Sequence, residues 1–259
     1  MDLVKRYLEI YGRKEDELLK PEEFKSEGLY AGEKEFIMFA EKEYLIDKHW
    51  VFEIKKEECA LLVVDLQEDF VNPNSPLCIP EAYRQIPRVK KVIETCRTLG
   101  VPVIYMAINV APDCVHDMYE YWPPIKAGAV KEGTPGADIY HEIYPKEGER
   151  VIRSKHSYSS FAGTELDMVL RHLGVKTVIV CGTLTNVCCE TTARDAYSRG
   201  YHVVFGSDIN ATDNALAHEA TLRTLRRAFA RVMTAEQIIQ ALTEGDSLYH
   251  QAVSRLKQS

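Results

Sequence analysis

Leu173-Gly174-Val175-Lys176-Thr177-Val178-Ile179-Val180-Cys181-Gly182 decides the fold. Gly174 closes a segment with apolar residues at helical spacing (Leu166, Val169, Leu170 and Leu173), and a β-rich run follows at once. The same junction occurs at Leu99-Gly100, where a helix carrying Ile86, Val89, Ile93 and Cys96 gives way to residues 101–108. It occurs again at Arg199-Gly200, before residues 201–205. Helices that end at glycine and hand over to strands with apolar residues on both faces build a parallel sheet between two helix layers. Strands are expected at 60–65, 101–108, 150–153, 175–181, 201–205 and 231–233. The expected fold is a three-layer α/β domain, an open parallel sheet of about six strands with helices on both faces.

Around this core the chain is ordinary in composition. It has 259 residues, 46% hydrophobic and 27% charged, enough apolar material for one sizeable domain. A net charge of -7 without a Lys/Arg cluster argues against nucleic acid, whose phosphates require concentrated positive charge. The apolar runs are far shorter than the ~20 residues of a membrane span. Residues 1–20 lack the apolar stretch of a signal peptide, so a cytoplasmic protein is expected. Seven cysteines, an odd number at irregular spacing, read as reduced and mostly buried, with room for one reactive thiol.

Residues 1–56 differ in character. They are rich in Lys, Glu and Tyr, with helical patterning at 4–11 and 33–40, and read as an added N-terminal helical arm that either caps the core or meets another subunit. Residues 109–149 are poor in strand signals and hold Tyr119, Tyr121 and Trp122, as expected of a lid or pocket wall.

In open parallel sheets, ligands gather at the carboxyl ends of strands. Gly182-Thr183-Leu184-Thr185-Asn186-Val187-Cys188-Cys189 follows the most apolar strand and leads into a helix expected over 190–198. A cysteine at a helix start has N–H groups and the helix dipole to favour a thiolate, and the same donors suit an oxyanion. A base and a cation at other strand ends would complete the site: Asp65 ends the strand 60–64, and Lys155 follows the strand ending at Arg153. Taken from these residues alone, Cys189 is a rival nucleophile, Glu68 and Asp69 are rival acids, and the charges around Lys155 suit a solvated surface.

Three blocks carry a resemblance: Leu61-Leu62-Val63-Val64-Asp65-Leu66-Gln67-Glu68-Asp69-Phe70, then Lys155-His156-Ser157-Tyr158-Ser159-Ser160-Phe161, then residues 182–196. The chain resembles the isochorismatase-like cysteine hydrolase superfamily over about residues 55–243, closest to the N-carbamoylsarcosine, ureidoacrylate and biuret hydrolase branch. The resemblance implies a hydrolase domain over 57–259 and a catalytic triad of Asp65, Lys155 and Cys188. It also implies a cis peptide between Thr183 and Leu184 and an oxyanion hole from the backbone N–H groups of Leu184 and Cys188. The implied reaction is hydrolysis of a C–N bond in a small carbamoyl, ureido or amide compound through a thioester, with nicotinamidase- or maleamate-type amidases as the alternative. Retention of the cysteine excludes the vinyl-ether cleavage of the isochorismatases themselves, in which it is replaced.

Nicotinamidases of that superfamily hold a metal through an Asp-x-His pattern. Here Asp113 and His116 stand at a different spacing without a third ligand, so neither metal nor cofactor is expected. Phe70, Asn109, Trp122 and Tyr158 are the candidate pocket residues, an aromatic wall with an amide for a ureido group. The loop 207–214 offers no basic residue to clamp an anion. The expected partner is a small amide or ureido molecule, with no nucleic acid and no membrane, and the resemblance implies a dimer or tetramer.

Overall fold

The computed structural model describes residues 46–75, 77–111 and 121–258. All six expected strands are present: β1 Cys59–Val64, β2 Val103–Ile108, β3 Arg150–Lys155, β4 Thr177–Thr183, β5 His202–Ala211 and β6 Arg231–Met233. They form one sheet in the order β3-β2-β1-β4-β5-β6, every pairing parallel. The helices are α1 Glu68–Val71, α2 Pro80–Leu99, α3 Pro123–Lys126, α4 Leu166–His172, α5 Glu190–Ser198, α6 Ala215–Ala228, α7 Ala235–Glu244 and α8 Ser247–Gln258. The order of the strands reverses at β1 and β4, which puts the mouth of a crevice beyond their carboxyl ends.

The apolar strands follow from burial on both faces. Along β1, Leu61 and Val63 pack with Ile86, Val89 and Ile93 of α2, whereas Ala60, Leu62 and Val64 pack with Leu166, Leu170, Ala193 and Ala196 of α4 and α5. No polar alternation is possible when alternate side chains enter two separate cores. Of the expected helix stops, Gly100 takes the left-handed conformation at φ 71°, where its N–H bonds the Arg97 carbonyl.

The structure moves several boundaries. Lys155 is the last residue of β3 rather than the residue after a strand. β5 runs to Ala211, so residues 207–211 of the expected pocket loop are strand. The register slips between Val180 and Gly182 of β4, and Asn210 bridges the slip by donating to the Val180 carbonyl at 2.9 Å and the Gly206 carbonyl at 2.7 Å. Residues 125–143 are a packed wall: Ile125, Val130, Ile139, Tyr140 and Ile143 are all in the core, so this part is no lid.

The helical stretches read at 4–11 and 33–40 lie outside the described residues. The arm's described end is docked: Phe52 and Ile54 enter the core. Asp246 holds this segment, accepting from Ile54 N–H at 2.9 Å and from the buried Arg231 guanidinium, which also donates to the Phe52 carbonyl at 2.7 Å. Among the described residues no helix is long and apolar enough to cross a membrane.

The thiols make a prediction about pH. Cys59, Cys96, Cys181, Cys188 and Cys189 are free and buried, and burial pushes every one of them up. An unfolded chain loses those protons near pH ~8.5, whereas the native thiols keep them, so native stability is full below that pH and falls as pH rises through it. Each such thiol contributes ~1.4 kcal/mol of lost stability per pH unit. The urea midpoint should therefore drop steeply between pH 8 and 10, and a midpoint flat over that range would contradict the burial of these groups.

Candidate active site

β1 ends at Val64, and Asp65 turns the chain with φ 52°, a left-handed conformation that aspartate tolerates better than most residues. Its side chain is 0% exposed and fully engaged. Oδ1 accepts the Ile108 N–H at 2.9 Å and Oδ2 accepts from Lys155 Nζ at 2.7 Å. Lys155, also 0% exposed, reaches Asp65 from the end of β3, two strands away. Burial works against the Lys155 charge, but the Asp65 carboxylate and the Cys188 sulfur outweigh it and hold the ammonium's pKa above the ordinary lysine value.

Cys188 comes from the third strand end. β4 closes on Gly182, where φ is 149° and a Cβ would lie 2.1 Å from the Val64 carbonyl oxygen, so only glycine lets the two strand ends approach. The Thr183–Leu184 peptide is cis. Residues Thr185–Cys189 form a single π-turn before α5. In that widened turn the Leu184 carbonyl accepts the N–H groups of Val187 at 3.1 Å and Cys189 at 3.2 Å and passes over Cys188. The Cys188 N–H is thereby released from its bond four residues back, as an oxyanion donor must be.

The thiol differs from its sequence reading in charge state. Burial pushes the Cys188 thiol well up; Lys155 pulls it down, and Asp65, which takes a hydrogen bond from it, pushes it up again. Burial thus opposes the thiolate that the helix start would favour. Cys189 is 0% exposed and packs in the core.

Cys188, 7% exposed, opens on a cavity of about 270 Å³. Phe70, Trp122, Tyr158, Ile108 and Leu184 line it with Cys188. The Phe70 and Trp122 rings stand 5.6 Å apart at 32°. Three of the four expected pocket residues are therefore on this cavity. Asn109 is not: its side chain donates to Glu132 at 3.3 Å, because the chain leaves β2 toward the packed wall. The rival acids are engaged elsewhere, Asp69 accepting the Val130 N–H at 2.7 Å and Glu68 held by His141 and Asn72.

Sequence reasoning missed Gln67. It is fully buried, accepts the Ile108 N–H at 3.0 Å, and donates to the carbonyls of Ile108 at 2.9 Å and Ala137 at 2.7 Å. It thus fixes the backbone that carries a hydrogen bond to Asp65. The one available signal was an amide two residues beyond the acid that ends the apolar run. Asp113 and His116 lie outside the described residues. Among the described residues no group of three His, Cys, Asp or Glu side chains suits a metal ion.

Comparison with known proteins agrees with this fold. The Isochorismatase domain family model matches residues 59–237. Nicotinamidase 3 of Arabidopsis thaliana is 35% identical over 184 residues, covering 71% of this chain and 88% of that protein. A cysteine hydrolase from Pseudomonas syringae pv. phaseolicola superposes with a TM-score of 0.71 at 30% identity, over 75% of this chain and 96% of that one. N-carbamoylsarcosine amidase from Thermoplasma acidophilum superposes with a TM-score of 0.60 at 31% identity, over 69% and 97%.

Proposed function

The chain belongs to the isochorismatase domain family, whose relatives are hydrolases of amide C–N bonds, and from that premise we propose a cysteine amidohydrolase acting on a small planar amide or ureide. The observation that carries the proposal is the buried Asp65–Lys155 pair facing Cys188, the one thiol among the described residues on the cavity.

A neutral thiol beside a carboxylate sets the order of events. As Cys188 Sγ bonds to the substrate carbonyl carbon, its proton passes to Asp65, and Lys155 keeps the neighbourhood electrically balanced. The carbonyl oxygen, now negative, is held by the N–H groups of Leu184 and Cys188. When the tetrahedral species collapses the C–N bond breaks, and Asp65 returns its proton to the departing nitrogen, giving ammonia or an amine and a thioester. Water then attacks the thioester, losing a proton to Asp65, and the sulfur leaves with that proton restored. The sum is amide plus water to acid plus amine.

The cavity favours planarity. Phe70, Trp122 and Tyr158 line it with aromatic rings, and about 270 Å³ suits one ring or one ureido unit. Such walls support an aromatic carboxamide as well as the carbamoyl compounds suggested by the wording of 185–196. Ammonia release from nicotinamide, biuret, N-carbamoylsarcosine and ureidoacrylate, run in parallel, separates these. Release from one or more is expected, and silence across the panel overturns the proposal.

A further inference from the structure

Asp213 stands between β5 and α6 and lines the same cavity as Cys188. No Lys or Arg among the described residues pairs with it. Among the described residues its one hydrogen bond comes from Thr212 Oγ1 at 3.2 Å, and that hydroxyl has a single proton and a closer acceptor in Asn186 Oδ1 at 2.7 Å. With its oxygen turned to Thr212, Asn186 gives its NH2 group to no described residue, and Asn186 too is on the cavity. The mouth therefore presents a carboxylate and an amide donor, while the walls are aromatic and aliphatic.

Among the described residues no Lys or Arg lines the cavity to offset that carboxylate. Lys155, the cation nearest Cys188, is committed to Asp65. The N-terminus of α6 supplies only a partial charge of roughly +0.5 beside Asp213, which reduces its field without reversing it.

We propose that Asp213 is the specificity-determining residue of this cavity, selecting amides whose far end donates hydrogen bonds or carries positive charge and rejecting those whose far end is anionic. The inference rests on the cavity being the amide site of the preceding section. Asp213 is exposed, so solvent and salt weaken its field. A partly wetted unit charge a few ångströms from a substrate charge should still separate cation from neutral, and neutral from anion, by about tenfold each.

The test uses three matched aromatic carboxamides: one uncharged, one an N-alkylated pyridinium, one bearing a ring carboxylate. Each is measured as a substrate by kcat/KM, or as an inhibitor of whichever panel amide is turned over, with the wild type, Asp213→Asn and Asp213→Lys. The wild type should rank cation, neutral, anion. Asp213→Asn should bring the three within about twofold, Asp213→Lys should reverse the order, and half-molar salt should compress the wild-type ratios. Wild-type ratios that persist in Asp213→Asn, with the uncharged amide still turned over or bound, overturn the role of Asp213 and leave the amidohydrolase standing. A wild type that releases ammonia from no amide at all removes both.

Discussion

Replacing Cys188 by alanine is expected to lower ammonia release by at least about a thousandfold, with the urea midpoint nearly unchanged. The reaction drawn above needs a sulfur that bonds carbon, and no other described side chain on the cavity supplies a nucleophile next to Asp65. The alanine removes one polarisable atom group and leaves the Asp65–Lys155 pair intact, so folding loses little. Cys189→Ala is the control, because that thiol is also fully buried and one residue away. It packs with Ala193 and Phe205, and its loss leaves a small void costing about 1 kcal/mol. Activity should remain within a few-fold. Denaturation curves and ammonia release on the two variants decide the matter: equal loss of activity in both would remove the assignment of Cys188.

Much of this was legible because two-sided burial writes itself into sequence as unbroken apolar runs. β1 and β4 have all residues buried, and both were found to within two residues at each end. β5 was cut short at Phe205 because Ser207, Asp208 and Asn210 look like a loop. Asn210 instead uses its side chain to bridge a register slip, a tertiary function with no local pattern. Asp65 and Lys155 stood out at strand ends and Cys188 at a helix start beyond one, and the resemblance supplied their order. Their charge states were not legible. A helix-start cysteine suggests a thiolate, yet Cys188 is buried and faces a carboxylate, and both push its pKa up. Asn109 was misplaced for a related reason, since which way a chain turns on leaving a strand depends on the wall it meets.

The buried pair gives the largest expected effect on stability. Asp65→Asn keeps the shape of the side chain and suits a left-handed backbone, and its oxygen can still accept the Ile108 N–H. What it removes is the charge facing Lys155 Nζ, leaving an ammonium at 0% exposure against an amide N–H. An uncompensated buried charge costs about 3–5 kcal/mol, and Lys155→Met should cost a similar amount by stranding the carboxylate. The double variant Asp65→Asn with Lys155→Met removes both charges, so it should recover much of the stability that either single change loses. It should recover none of the activity, because no base remains to take the thiol proton. Urea midpoints of the four proteins give the coupling energy, and ammonia release is read on the same samples. If the two single losses simply add in the double variant, the pair is not coupled and the proton route through Asp65 loses its support.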